Sequence, residues 1–266
     1  MVDVLKCPVM KMKWLAAACV FLLNLQTGKG QNNPYTPPFL VGEKLTYLLH
    51  YGILNGGRGT LEVNKSTLDG KAIYHAVARA NTIGLADKLY KVEDVYESFM
   101  DPLTGLPVKA IRNIREGRYQ YYNETFFNRD SNRVYSQLSG YHDTPEGIID
   151  MVSALYYLRL VDRNQLAIGD KIDLITYFAD EIYPLPVRYR GMETLKTRLG
   201  TFRCHVFAPV TEPGRVFKTE DDMLMWFTDD DNFIPIRIQF DMWVGSMKVD
   251  LVEYSGLKYP LSSRLD

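Results

Sequence analysis

Apolar and polar residues alternate along most of the chain with the two-residue period of β-strands. Every second residue between Leu45 and Tyr51 is leucine or tyrosine, and Asn55-Gly56-Gly57 then predicts a turn into a second strand over 60–63. The same period predicts further strands over residues 73–80, 92–100, 107–115, 119–127, 134–138, 172–178, 187–190, 202–207, 223–227, 234–240 and 247–254. This spacing is typical of an antiparallel meander.

One segment has the period of a helix instead. Thr144 is suited to cap it, with Pro145 in the first turn. Apolar residues then recur at helical spacing: Ile148, Met151, Val152, Leu155 and Leu158. No composition shift divides the chain, so we predict a mainly β fold with one central helix. Its sheet is expected to be a large curved antiparallel sheet or a partly closed barrel, in a single domain over residues 39–266.

The N-terminus has the layout of a signal peptide. Lysines precede an apolar run over residues 14–25, and the small residues Gly28 and Gly30 follow before Gln31. We therefore predict a cleaved leader over residues 1–30 and a flexible, proline-rich lead-in over 31–38. A permanent anchor is disfavoured because the run is shorter than the roughly 20 residues that span a bilayer. Cys19 as a lipidated residue is a weaker alternative, since the apolar run continues after it.

Composition and charge narrow the class of protein. Aromatic residues make up 12% of the chain, which suits half-buried strand surfaces. The 31 basic and 32 acidic side chains nearly balance, which argues against nucleic-acid binding. Removal of the leader would leave Cys204 as the one cysteine, so the mature chain is predicted to form no intramolecular disulfide.

Five phrases of the sequence carry a resemblance to a known family. They are Val-Gly-Glu-Lys-Leu-Thr-Tyr at 41–47, Arg-Glu-Gly-Arg-Tyr at 115–119, Asp-Met-Val-Ser-Ala-Leu-Tyr-Tyr-Leu-Arg at 150–159, Leu-Gly-Thr-Phe at 199–202 and Val-Gly-Ser at 244–246. From about residue 39 to 259 the chain resembles the exported bacterial family called domain of unknown function 3108. The resemblance implies a β-rich fold and the periplasm of a Gram-negative bacterium, without an established activity. A more distant likeness, at fold level, is to periplasmic lipoprotein carriers, whose curved sheets hold acyl chains against a helix.

Motifs for catalysis, metals and cofactors are mostly absent from the sequence, so we predict no catalytic residue, no metal and no cofactor. Cys204 and His205 are neighbours on a predicted strand and should face opposite sides, which predicts a buried, inert thiol rather than a dyad. The acidic run 229–232, with 220–222, lacks the pattern of a calcium loop and is interpreted as a solvated hairpin tip.

Aromatic and basic residues of the predicted strands are candidates for a binding surface. A sugar-stacking platform formed by Tyr119, Tyr121, Tyr122, Trp226 and Trp243 is the alternative to ordinary cross-strand packing. The arginines at 112, 115 and 118 are interpreted as part of a charged sheet face.

The predicted helix supplies the candidate ligand-binding or structural residues. Asp150, Ser153 and Tyr157 fall in one narrow stripe at 100° per residue, whereas Arg159 lies on the apolar side. A buried guanidinium needs a carboxylate partner, and we name Glu116 and Asp94 as the leading candidates. Arg159 facing solvent at a frayed helix end, or anchoring a ligand, are the alternatives.

These observations favour a non-enzymatic periplasmic protein of the cell envelope that binds an apolar or amphipathic ligand, with peripheral envelope association allowed and the oligomeric state open. One alternative is a glycan-acting hydrolase using paired carboxylates, for which Glu93, Asp94 and Glu97 form the nearest cluster. The other is a structural partner in an envelope complex. An apolar cavity favours the first interpretation, convergent carboxylates the second, and an uncovered apolar patch the third.

Overall fold

A single antiparallel sheet of 14 strands makes up the described part of the protein. The computed structural model describes residues 35–210, 219, 222–241 and 245–266, and the predicted leader lies outside them. The first eight strands are β1 Lys44–Tyr51, β2 Leu54–Leu68, β3 Lys71–Thr82, β4 Glu93–Met100, β5 Pro107–Glu116, β6 Tyr119–Asn128, β7 Arg133–Ser136 and β8 Gly140–Asp143. The other six are β9 Lys171–Phe178, β10 Glu181–Thr197, β11 Gly200–Pro209, β12 Met223–Thr228, β13 Pro235–Asp241 and β14 Ser246–Ser255.

The strands are ordered β8 to β1, then β14 to β9, so two runs of consecutive hairpins meet where β1 pairs with β14. The sheet is curved and does not close, with β8 and β9 at its edges. The predicted fold class is therefore confirmed. Helix α1 spans Gly84–Leu89, helix α2 spans Met151–Leu158, and a short 3-10 helix spans Arg163–Gln165. Among the described residues, no helix has the length and apolarity needed to cross a membrane.

The first hairpin turns earlier than the sequence predicts. Gly52, with φ +57°, lies in the turn, and β2 already begins at Leu54. Gly56 and Gly57 therefore lie within β2 rather than in a turn. The predicted turn at Asn55-Gly56-Gly57 is wrong, because the chain has already reversed at Gly52 before β2 begins.

The core lies between α2 and one face of the sheet, here called the inner face. Val152 and Tyr156 of α2 pack against inner-face residues of the first strands, such as Leu45 and Val63. Ala154 and Leu158 pack against a second cluster that includes Phe207 of β11. Burying a large apolar side chain such as Leu158 contributes about 1.5–3 kcal/mol to the free energy of folding. Because α2 packs against both clusters, it links the two halves of the sheet.

Helix α2 begins later than predicted. Its N-cap is Asp150, whose side chain accepts from the main-chain N–H groups of Val152 and Ser153. Thr144 does not cap it, because Gly147 takes φ +73° and Ile149 pairs with the edge of β9. That pairing keeps the chain extended up to residue 150, where the carboxylate supplies the cap.

Candidate functional site

An apolar cleft lies on the inner face, beside α2. It encloses about 380 Å³ between the first three strands, β13 and β14, with Leu155 of α2 on its wall. Side chains and main chain of the following residues line it: Tyr47, Leu49, Gly56, Gly57, Arg58, Gly59, Thr60, Leu61, Ala78, Arg79, Ala80, Asn81, Thr82, Val92, Leu155, Pro235, Ile238 and Val249. A volume of this size falls within the range of small-molecule sites.

The cleft exists because the inner positions of β2 and β3 carry small residues. Gly59 pairs with Ala80 across these strands, and Leu61 pairs with Ala78. A Cβ atom at Gly59 would meet only ordinary contacts, at 3.4 Å from the Arg79 carbonyl oxygen and 3.9 Å from the Tyr47 Cβ. The strands thus hold their register while leaving space above the sheet.

A smaller pocket, here called the polar pocket, lies beside the first turn of α2. It encloses about 30 Å³, and its polar and charged lining includes Glu97, Arg112, Asn123, Asp150 and Asp180. Asn123 Nδ2 donates to Asp180 Oδ1 at 3.1 Å. Burial acts to raise the pKa of Asp180, but hydrogen bonds to its carboxylate outweigh burial and hold that pKa below its usual value.

Arg112 lies among aromatic rings in this pocket. Its guanidinium carbon is 4.3 Å from the Phe178 ring centroid, 4.8 Å from Tyr121 and 5.8 Å from Tyr96. Its Nε is buried and has no hydrogen-bond partner. The prediction that Arg112 belongs to a charged sheet face is wrong, because it alternates onto the inner face, whereas Arg115 is exposed.

Asp150 and Ser153, two residues of the predicted stripe, lie together and form a capping box. The Asp150 carboxylate accepts four hydrogen bonds, from Ser98 Oγ, Ser153 Oγ and the main-chain N–H groups of Val152 and Ser153. Burial nevertheless raises its pKa above the usual value. This geometry ties the start of α2 to β4. Tyr157, the third residue of the stripe, is 45% exposed and stays apart from it.

Arg159 ends α2 and is buried, as predicted, but its partner is Glu43. Two hydrogen bonds join the guanidinium to the Glu43 carboxylate. Glu116 and Asp94, the predicted partners, are wrong. They lie elsewhere on the sheet: Asp94 Oδ1 accepts from the main-chain N–H of Arg115 at 3.0 Å, and the Glu116 carbonyl accepts from Tyr90. Glu43 directly precedes β1, within a phrase that carries the family resemblance, which is the signal that could have identified it.

The acids named for a glycan hydrolase do not converge. Glu97 pairs with His75 at 2.6 Å and Glu93 pairs with Lys91 at 2.9 Å. Asp94 is bound to the main chain, as described above. Three separately satisfied carboxylates do not form the facing pair that this chemistry needs.

Cys204 is fully buried, as predicted, and the burial raises its pKa to about 12. His205 instead joins a network that the sequence did not indicate. Its two ring nitrogens lie 2.9 Å from Tyr189 Oη and 2.9 Å from Asp229 Oδ1. This network fastens β10, β11 and the turn after β12 to one another.

The acidic run 229–232 is not a solvated tip. Asp230 is 4% exposed and its carboxylate accepts from Thr228, Ser263 and main-chain N–H groups. Asp229 pairs with Arg203. Within the part of the chain that the structure describes, no three acids, histidines or cysteines are grouped to hold a metal ion. The run instead stabilises the turn between β12 and β13 through these hydrogen bonds.

The aromatic platform, the alternative to cross-strand packing, is not assembled by its described members. Trp226 is buried and donates from Nε1 to Glu193 at 2.9 Å, whereas Tyr119 and Tyr122 are exposed on β6. Trp243 lies outside the described residues.

Comparisons with known proteins bear on the family and the fold. The family described as "Protein of unknown function (DUF3108)" matches residues 46–252. No curated protein sequence matches the chain. A solved structure of a β-barrel-like protein of domain of unknown function DUF1849 from Brucella abortus matches with a TM-score of 0.53 and 12% identity, covering 82% of this chain and 98% of that one. It shows a similar fold.

A second solved structure, a DUF1089 family protein from Pseudomonas aeruginosa, has a TM-score of 0.30 and 10% identity. It covers 79% of this chain and 90% of its own.

Proposed function

This chain belongs to the DUF3108 family, and we propose that it is a non-enzymatic protein of the cell envelope that binds an apolar or amphipathic ligand in the apolar cleft. The observation that carries the proposal is the cleft itself, about 380 Å³ on the inner face of the sheet. Its lining is dominated by glycine, alanine and aliphatic side chains, which offer dispersion contacts and few polar groups. Such a lining favours an alkyl chain over a sugar or a nucleotide.

The energetics of the cleft support this class of ligand. Each methylene group that moves from water into an apolar site contributes about 0.8 kcal/mol to the binding free energy. A chain of several methylenes therefore reaches micromolar affinity without any specific polar contact, even after the cost of immobilisation. The rigid sheet keeps that cost low because the cavity walls are strands held on both sides.

The proposed location rests on the charged, apolar N-terminus. Export into the periplasm of a Gram-negative bacterium would place the cleft between two membranes, where lipids and their breakdown products are the abundant apolar solutes. Peripheral envelope association is consistent with this location. The proposal makes the protein a carrier or sensor of such molecules, not a catalyst.

The proposal is tested by a substitution whose larger side chain occupies the cleft. Gly59→Val adds a β-branched side chain at an inner position that accepts a Cβ without a clash, so the sheet should remain folded. The matched control is Thr67→Val, which is also in β2 but exposed and away from the cleft. The probe is N-phenylnaphthylamine, whose fluorescence rises in apolar surroundings.

We expect saturable fluorescence with the wild type and with Thr67→Val, and little with Gly59→Val. Native mass spectrometry of protein taken from its own periplasm should show a co-purified apolar molecule. Wild-type protein that gives no saturable signal, or a Gly59→Val variant that binds as the wild type does, would refute the proposal.

A further inference from the structure

Arg112 is a cation whose hydrogen-bonding capacity is only partly used by the described residues. The three aromatic rings around it stabilise the charge, and one of them, Tyr96, also has a side-chain hydrogen bond with Arg112. Its Nε is buried without a partner, and no acid of the described ranges forms an ion pair with it. A guanidinium offers five N–H donors in a fork that matches a carboxylate. Arg112 is thus a donor set directed into the polar pocket.

Three acids line the polar pocket, and each is bound to groups other than Arg112. Asp150 is saturated by its four donors at the start of α2, Asp180 accepts from Asn123, and Glu97 pairs with His75. Their charges repel any further anion, and they repel a doubly charged group such as a phosphate monoester more strongly than a singly charged one. The space of about 30 Å³ is roughly that of two water molecules and suits a group as small as a carboxylate.

The polar pocket and the apolar cleft are neighbours on the inner face. Ala78, on the cleft wall, pairs with Tyr96 of β4, and Tyr96 pairs with Arg112 of β5. Two strand spacings separate Ala78 from Arg112, which is roughly 10 Å. On the helix side, Val152 lines the polar pocket and Leu155, less than one turn later, lines the cleft. The two cavities thus lie within the length of one elongated molecule.

We propose that Arg112 binds the carboxylate of a singly charged amphipathic ligand, of the fatty-acid class, whose alkyl chain lies in the apolar cleft. The inference rests on the proposed function, since it specifies the head group of the ligand that the cleft takes. The three rings hold the guanidinium in place before binding, so little side-chain entropy is lost when the carboxylate arrives. The alkyl chain of the ligand provides most of the affinity, and Arg112 determines which head group is preferred.

The experiment compares laurate with 1-dodecanol, which has the same chain and no charge, by displacement of N-phenylnaphthylamine at neutral pH. The variants are Arg112→Gln, which removes the charge, and Arg112→Lys, which keeps it. Arg115→Gln is the matched control, since it removes an exposed arginine from the other face of β5. Butyrate tests whether the head group alone is bound.

Wild-type protein should bind laurate about tenfold or more tightly than 1-dodecanol, because a charge-assisted hydrogen-bonded pair is at stake. Arg112→Gln should abolish this preference by weakening laurate alone, Arg112→Lys should restore part of it, and Arg115→Gln should leave it unchanged. Butyrate should bind far more weakly than laurate.

The outcomes separate the inference from the proposed function. Wild-type protein that binds neither long-chain ligand contradicts both. If it binds both ligands equally, or if Arg112→Gln weakens both alike, the cleft stands and the Arg112 site is refuted. The wild-type comparison needs no variant, so it decides the matter even if Arg112→Gln does not fold. Butyrate that binds as tightly as laurate would also overturn the inference.

Discussion

Arg159 and Glu43, 116 residues apart in the chain, form a bidentate ion pair in the interior, with Nη1 2.6 Å from Oε1 and Nη2 2.9 Å from Oε2. The exposed fractions of the two side chains are 0% and 1%. The same guanidinium donates to the carbonyls of Asn232 and Pro38. One side chain therefore fastens the lead-in, the start of β1, the end of α2 and the turn after β12. Burial alone would lower the pKa of Arg159, but the Glu43 hydrogen bonds outweigh it and raise that pKa.

Replacing Arg159 by Met should destabilise the fold strongly. The substitution retains much of the apolar stem but leaves the Glu43 carboxylate buried without a partner, which costs about 3–5 kcal/mol. Urea unfolding of the single and double variants measures this. Adding Glu43→Leu should recover most of the loss, because no stranded charge remains. An unchanged unfolding midpoint for Arg159→Met would show that the pair does not form in solution.

Asp250 should make the free energy of unfolding depend on pH in the acidic range. Burial acts to raise its pKa, but hydrogen bonds from Arg237, at 2.8 Å to Oδ2, and from His50, at 3.1 Å, outweigh it and lower the pKa. Its contribution is present above the unfolded-state pKa of about 4 and is lost as pH falls through the lower folded-state value. Asp250→Asn should therefore cost about 1–3 kcal/mol at pH 7 and clearly less at pH 2.5.

Urea unfolding at both pH values checks this prediction about Asp250. The matched control is Asp143→Asn, since Asp143 is 88% exposed in its pair with Arg133 and should matter little at either pH. An equal loss for Asp250→Asn at both pH values would contradict the assigned ionisation.

Cys204 should react slowly in the folded protein. Burial raises its pKa to about 12, so almost no thiolate exists at neutral pH. Titration of the leader-free chain with a thiol-reactive disulfide should show little reaction until denaturant is added, and a full equivalent afterwards. Fast labelling of native protein would mean that β11 opens readily.

The leader should be removed on export. The charged start, the short apolar run and the small residues before Gln31 predict cleavage between Gly30 and Gln31. Intact mass of the exported protein checks it, and a non-exported form made in the cytoplasm is the control. A mature chain that begins with a lipidated Cys19 would contradict the prediction.

Period-two alternation was sufficient to predict the sheet, because inner-face burial imposes it strand by strand, as at Leu45, Tyr47 and Leu61. Local sequence patterns gave wrong predictions where contacts between distant parts of the chain determine the structure. The start of α2 depends on Ile149 pairing with β9, and the partner of Arg159 depends on which strand lies beside the helix end. The position of the cleft was not predicted. Its space exists because inner positions carry glycine and alanine, and in a sequence Gly57 and Gly59 resemble turn residues.

The strand order also limits how fast the protein can fold. The strands from β1 to β8 pair with their neighbours in sequence, and so do those from β9 to β14. The contact between β1 and β14, by contrast, joins residues as far apart as His50 and Asp250, which are separated by 200 positions. Such distant pairing delays the rate-limiting step, because the entropy of closing a long loop is lost before the contact forms. We expect pulsed hydrogen exchange during refolding to protect the amides of β3–β6 and β10–β11 first, and those between β1 and β14 last.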